Sequence, residues 1–115
     1  MQKPIGIVEL PTFERAIRGV LGEAEVDELK DFLSANPEAG DLIVGTGGAR
    51  KLRWGAQGKG KRGGGRAIYY FHNADIPLFL MDFYTKGAKR DLSEKEKKLF
   101  RAIIDGLVGE HRKED

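Results

Sequence analysis

The chain has 115 residues, 40% of them hydrophobic, with no cysteine and a formal net charge of +2. That suits one domain with one core; it excludes disulfides and cysteine-based metal centres, and no apolar stretch is long enough to span a bilayer. The charge is uneven: residues 1–47 hold four Lys/Arg against nine Asp/Glu, residues 48–66 hold seven Lys/Arg and no acid, and the remainder holds nine of each, which argues against a DNA-coating protein, basic throughout, and for either a local polyanion site or a solvated basic loop.

Residues Ile5 to Glu9 suit a short strand closed by Pro11. Thr12 is placed to cap a helix carrying Phe13, Ile17, Val20 and Leu21 at helical spacing. A second helix is predicted from about Glu23 to Ala35, with Val26, Leu29 and Phe32 or Leu33 facing inward and Asn36-Pro37 ending it. Its acidic first turn is accounted for by the helix dipole. Gly45-Thr46-Gly47-Gly48 reads as a loop, and Ala49 to Trp54 alternates as a strand. Six glycines between Gly55 and Gly65 preclude regular structure there. Arg66 to His72 and Leu78 to Thr85 are two further strands, joined through Asn73-Ala74-Asp75. The last helix starts with Ser93 and Glu96 as a capping box and carries Leu99, Phe100, Ile103, Ile104, Leu107 and Val108 as one stripe; the tail from 110 is expected to fray. The predicted order is β-α-α-β-β-β-α in a single domain spanning 1–115, a compact α+β fold with an antiparallel sheet packed against helices on one side.

Period-two alternation sorts the strand residues by face. If no strand carries a bulge, Trp54, Tyr69, Phe71, Phe79, Met81 and Phe83 point at the helices. Lys51, Arg53, Arg66, Tyr84 and an extended Lys86 then share the opposite face beside the glycine loop. That set reads either as a basic site held on rigid strands or as long side chains capping a sheet end.

The blocks Pro37-Glu38-Ala39-Gly40-Asp41, Gly45 to Arg53 (GTGGARKLR), Gly58 to Tyr70 (GKGKRGGGRAIYY), Phe83-Tyr84-Thr85-Lys86 and Asp91-Leu92-Ser93 resemble, in order and spacing, the RelE/ParE superfamily of bacterial toxins, its HigB-like branch above all. The resemblance runs from about Ile7 to about Leu107. It implies a RelE-like fold and a type II toxin–antitoxin toxin, an endoribonuclease (mRNA interferase) that cuts mRNA in the ribosomal A site. It implies a cytoplasmic protein with the ribosome, mRNA and a cognate antitoxin of helix-turn-helix type as partners. Position by position it assigns the strand arginine to Arg66, strand basic residues to Lys51 and Arg53, loop basic residues to Lys59, Lys61 and Arg62, and the terminal aromatic–basic pair to Tyr84 and Lys86. Asp82 departs from the pattern, which favours a small or apolar residue there.

Cleavage by the RNA's own 2′-OH requires a base, charge stabilisation at phosphorus and a proton for the leaving 5′-oxygen. The two histidines are poorly placed: His72 lies at the far end of its strand from Arg66, and His111 lies in the tail. No His or carboxylate cluster has metal-ligand spacing, so neither metal nor cofactor is expected. A Lys/Arg/Tyr mechanism follows: Arg66 grips the scissile phosphate, Lys51, Arg53 and Lys61 add charge, and Lys61 or Lys86 is the base or acid, its pKa lowered by neighbouring cations. Tyr84 could stack on a base or steady the bent RNA. Asp82 could orient Arg66 or Lys86, or relay a proton. Two other functions fit the same residues, a ParE-like gyrase inhibitor on the same fold and an RNA-binding module without turnover.

Overall fold

The computed structural model describes residues 5–55, 64–85, 87 and 92–113. The elements are β1 (Ile7–Glu9), α1 (Pro11–Ala16), α2 (Glu23–Ala35), β2 (Asp41–Leu42), β3 (Ala49–Trp54), β4 (Gly65–Tyr70), β5 (Leu78–Thr85) and α3 (Glu94–Lys113). They form a compact α+β fold around one five-stranded sheet, ordered β1-β5-β4-β3-β2. The expected meander is present, since β3–β4 and β4–β5 pair antiparallel. The sheet as a whole is mixed, however, because β1 runs parallel to β5. β2, two residues long and paired with β3, adds a strand too short to show any alternation in the sequence. None of the described helices is long and apolar enough to cross a membrane.

Helices cover both faces of the sheet, not one. On the first face Phe13 of α1 and Val26, Leu29 and Leu33 of α2 pack with Trp54, Tyr69 and Phe83. On the second, Phe100 and Ile104 of α3 pack with Ala49, Ile68, Tyr70 and Met81. The reason lies in β4 and β5, whose Ala-Ile-Tyr-Tyr and Leu-Phe-Leu-Met runs are apolar at consecutive positions, as strands buried on both sides must be. Within α3, Leu99 lies outside the buried stripe, 53% exposed. Ser93 and Glu96 form the expected capping box: the Ser93 hydroxyl accepts the Glu96 N–H at 3.1 Å, and the Glu96 carboxylate accepts the Ser93 N–H at 2.9 Å. The helix continues to Lys113, into the stretch expected to fray.

β5 carries a bulge. Ile68 pairs with Asp82 and Tyr69 with Leu80, so Met81 is the extra residue. Its carbonyl accepts a hydrogen bond from the Thr12 hydroxyl. Thr12 therefore fastens α1 to the bulge instead of capping it; α1 begins at Pro11, whose fixed φ and missing N–H suit a first helical turn, with no side-chain cap. The bulge divides the predicted aromatic set. Trp54, Tyr69, Phe71 and Phe83 face α1 and α2, whereas Phe79 and Met81 lie on the α3 side with Tyr84.

The chain from 36 to 48 is tied to the sheet by polar contacts. Arg50 donates to the carbonyls of Glu38 (3.1 Å) and Gly40 (2.7 Å), and the Gly40 N–H donates to the buried Tyr69 hydroxyl at 2.8 Å. The turn that follows uses the glycines of the GTGG block at positive φ (Gly45, Gly47, Gly48), while buried Thr46 donates to Ile43 O and accepts from Ala49 N–H. Burial pushes the Tyr69 phenol above its ordinary value of 10.0. Below that value the phenol is neutral in both folded and unfolded chains. Above it the unfolded chain ionises first, so stability is lost as pH rises through the folded pKa. Tyr69→Phe leaves the Gly40 N–H unsatisfied and is expected to cost about 1–2 kcal/mol at neutral pH. Its stability should also fall less steeply above about pH 10 than the wild type's. Urea denaturation at pH 7 and at higher pH measures both; an unchanged midpoint at pH 7 contradicts the anchoring role.

Candidate nucleic-acid interface

The ladder between β3 and β4 has no bulge, so alternation holds across it. Arg53 sits opposite Arg66, and Arg66 opposite Tyr84. The next row is Lys51, Ile68 and Asp82. Lys51, Arg53, Arg66, Tyr84 and Asp82 thus share one sheet face, as alternation indicated for the basic set. It is the same face that α3 covers further along, where Ala49, Tyr70 and Phe79 meet Phe100 and Ile104. The basic rows occupy the end of that face nearest the glycine-rich segment. Lys59, Lys61, Arg62 and Lys86 lie outside the described residues.

Directly opposed side chains in a ladder stand about 4.5–5.5 Å apart at Cβ, and like charges so placed repel. Arg53 is exposed and Arg66 half-buried. Neither makes an ion pair among the described residues; Arg66 donates through Nη1 to the Gly65 carbonyl at 3.0 Å. Two guanidiniums facing each other without a carboxylate between them weaken the fold and suit a bound polyanion. Both are held from the opposite face: Trp54 beside Arg53 packs on Phe32, ring centroids 5.5 Å apart, and Gly65 beside Arg66 lies under the Phe83 ring.

Tyr84 occupies the row but not the surface. It is 7% exposed, its hydroxyl is buried, and its ring packs in the cluster on the α3 side with Leu92 and Phe100. In this arrangement it supports the row from below and does not present a ring face to a base. His72 is remote, with its Nδ1 2.8 Å from the Tyr70 hydroxyl beyond the other end of β4. Among the described residues no three His, Cys, Asp or Glu side chains are placed to hold a metal ion.

Asp82 is half-buried and accepts the Phe83 N–H at 2.8 Å. It also lines a cleft of about 330 Å³, together with Thr12, Arg15 and Ala16 of α1 and Glu96, Leu99 and Phe100 of α3, that the sequence does not announce. The signal available in the sequence is the solitary acid, Asp82, in the run Leu78 to Tyr84. No protein-family model matches the chain.

Proposed function

We propose that this chain is a RelE/HigB-type toxin, an mRNA endoribonuclease that cuts in the ribosomal A site without a metal. The observation that carries the reading is the Arg53–Arg66 pair, two guanidiniums set opposite each other on paired strands with no ion-pair partner among the described residues. Lys51 flanks them, and Lys59, Lys61 and Arg62 follow within the adjacent segment of the sequence. Arg66 holds the scissile phosphate and Arg53 shares its charge. The 2′-oxygen attacks phosphorus, its proton passes to a base, a 2′,3′-cyclic phosphate forms, and the departing 5′-oxygen takes a proton from an acid. Lys61 and Lys86 are the candidates for those two transfers, with Lys51 adding charge. The ribosome fixes the mRNA in the bent geometry that the attack requires, and a helix-turn-helix antitoxin keeps the toxin silent.

One observation favours a rival, an RNA-binding module without turnover: among the described side chains the imidazole, His72, lies beyond the far end of β4 from Arg66, and Tyr84 is buried. Primer extension on a defined mRNA, with translating ribosomes and without them, separates the readings. We expect cuts at A-site codons only when ribosomes are present. Folded protein that makes no cuts overturns the nuclease reading, after which salt-dependent RNA binding and inhibition of DNA supercoiling decide between the two other functions.

A further inference from the structure

We propose that the chain pairs with a second copy of itself through α3, the two helices lying side by side and antiparallel. Phe100 and Ile104 turn one face of α3 into the core. Away from that face, Lys95, Leu99, Ala102, Gly106 and Glu110 recur at three- and four-residue spacing, and all five are exposed. Half-buried Ile103 borders the stripe. Leu99 is the large apolar side chain that α3 leaves to solvent, 53% exposed. Lys95 and Glu110, at the two ends, make no ion pair among the described residues.

A second copy fits because the stripe, turned end for end, matches itself. Lys95 and Glu110, Leu99 and Gly106, and Ala102 and Ile103 are all centred on one point, between residues 102 and 103. In an antiparallel pair about that point, Lys95 of each copy meets Glu110 of the other. Leu99 of each then lies over Gly106 of the other, and Ile103 over Ala102. Opposite charges meet at both ends, and a large side chain meets a small residue at every position between. A parallel pair would instead set Lys95 against Lys95 and Leu99 against Leu99. In one copy a Cβ at Gly106 would meet nothing within 4 Å, so the space that Leu99 of the other copy needs is open. From Lys95 to Glu110 the helix rises about 22 Å, and a two-fold axis makes each contact twice, as in an isologous homodimer. A single pair of helices is smaller than the interface of a standard stable complex, so the dissociation constant is about 10 µM and the dilute chain is monomeric. Pairing through α3 is independent of whether the chain cleaves RNA.

Sedimentation equilibrium of the full chain at low ionic strength, from about 1 µM to about 500 µM, is the test. The mass should rise from 12.8 kDa toward twice that value. Each pair of copies holds two Lys95–Glu110 contacts, so Lys95→Glu alone and Glu110→Lys alone should each weaken association about tenfold. The two changes together should restore it to within about threefold of wild type. Helix stability cannot explain such a loss, because glutamate in the first turn and lysine in the last both suit the helix dipole. Gly106→Leu fills the place of Leu99 and should abolish pairing, while circular dichroism shows one copy still folded. A mass that stays at 12.8 kDa up to the highest concentration overturns the pairing. So does association that survives Gly106→Leu, or a double charge reversal that fails to recover what each single change lost.

Discussion

Arg66→Ala is expected to lower single-turnover cleavage of ribosome-bound mRNA by about three orders of magnitude, the scale of losing a principal charge-stabilising group. The fold should survive. Arg66 is half-buried, donates among the described residues to the neighbouring Gly65 carbonyl and lies opposite another arginine. Removing it relieves a like-charge contact, so the unfolding midpoint should stay level or rise slightly. That combination, activity lost and stability kept or gained, distinguishes a functional cation from a structural one. Arg66→Lys sharpens the test: a lysine retains the charge but not the planar fork, and a loss of about tenfold to a hundredfold is expected. Full activity from a folded Arg66→Ala protein, measured by quench-flow or primer extension, would falsify the assignment. Activity restored entirely by lysine would show that charge suffices without bidentate geometry.

Several parts of this arrangement were legible in the sequence. The helix Glu23–Ala35 and the strands Ala49–Trp54 and Leu78–Thr85 have the predicted bounds, because their apolar spacing and punctuation agree. The shared face of Lys51, Arg53 and Arg66 was readable because alternation within β3 and β4 is unbroken. That Arg53 faces Arg66 was not, since register across the hairpin depends on the connection at 55–64, which has no turn signature. The bulge at Met81 was hidden for a related reason: Leu-Phe-Leu-Met-Asp-Phe reads as apolar on either face, so one extra residue leaves no mark in the pattern. Only Thr12, distant in sequence, reveals it by binding the Met81 carbonyl. The parallel β1–β5 pairing likewise joins segments about seventy residues apart and depends on tertiary packing rather than local preference. The second helical layer follows from the composition of β4 and β5. Two consecutive strands without polar alternation demand cover on both sides, and α3 was the remaining amphipathic element to supply it.

Gly65→Ala should be among the most damaging single methyl additions to this chain. A Cβ at Gly65 would lie 2.2 Å from Phe83 Cζ and 2.5 Å from Cε1. Phe83 is 3% exposed and packed with Trp54 and Ala67, so its ring has nowhere to go. Overpacking of this kind costs about 3 kcal/mol, which in a domain of this size lowers the melting temperature by about 10 °C or more. Gly106→Ala is the matched control: it adds the same methyl where nothing lies within 4 Å, inside α3, and should stabilise by about 0.5–1 kcal/mol. Opposite signs from one chemical change would isolate the Phe83 contact as the cause. Phe83→Leu in the Gly65→Ala background should recover part of the loss, and calorimetry of the four-member cycle gives the coupling. Additive effects would mean the ring and the methyl do not meet. The consequence reaches the site because the Gly65 carbonyl receives the Arg66 Nη1 hydrogen bond and Gly65 begins the strand that carries Arg66. A strand displaced by the Phe83 ring moves that guanidinium relative to Arg53, so Gly65→Ala protein should cleave poorly even at temperatures where it remains folded. The small residue before the arginine is therefore part of how the fold aims it.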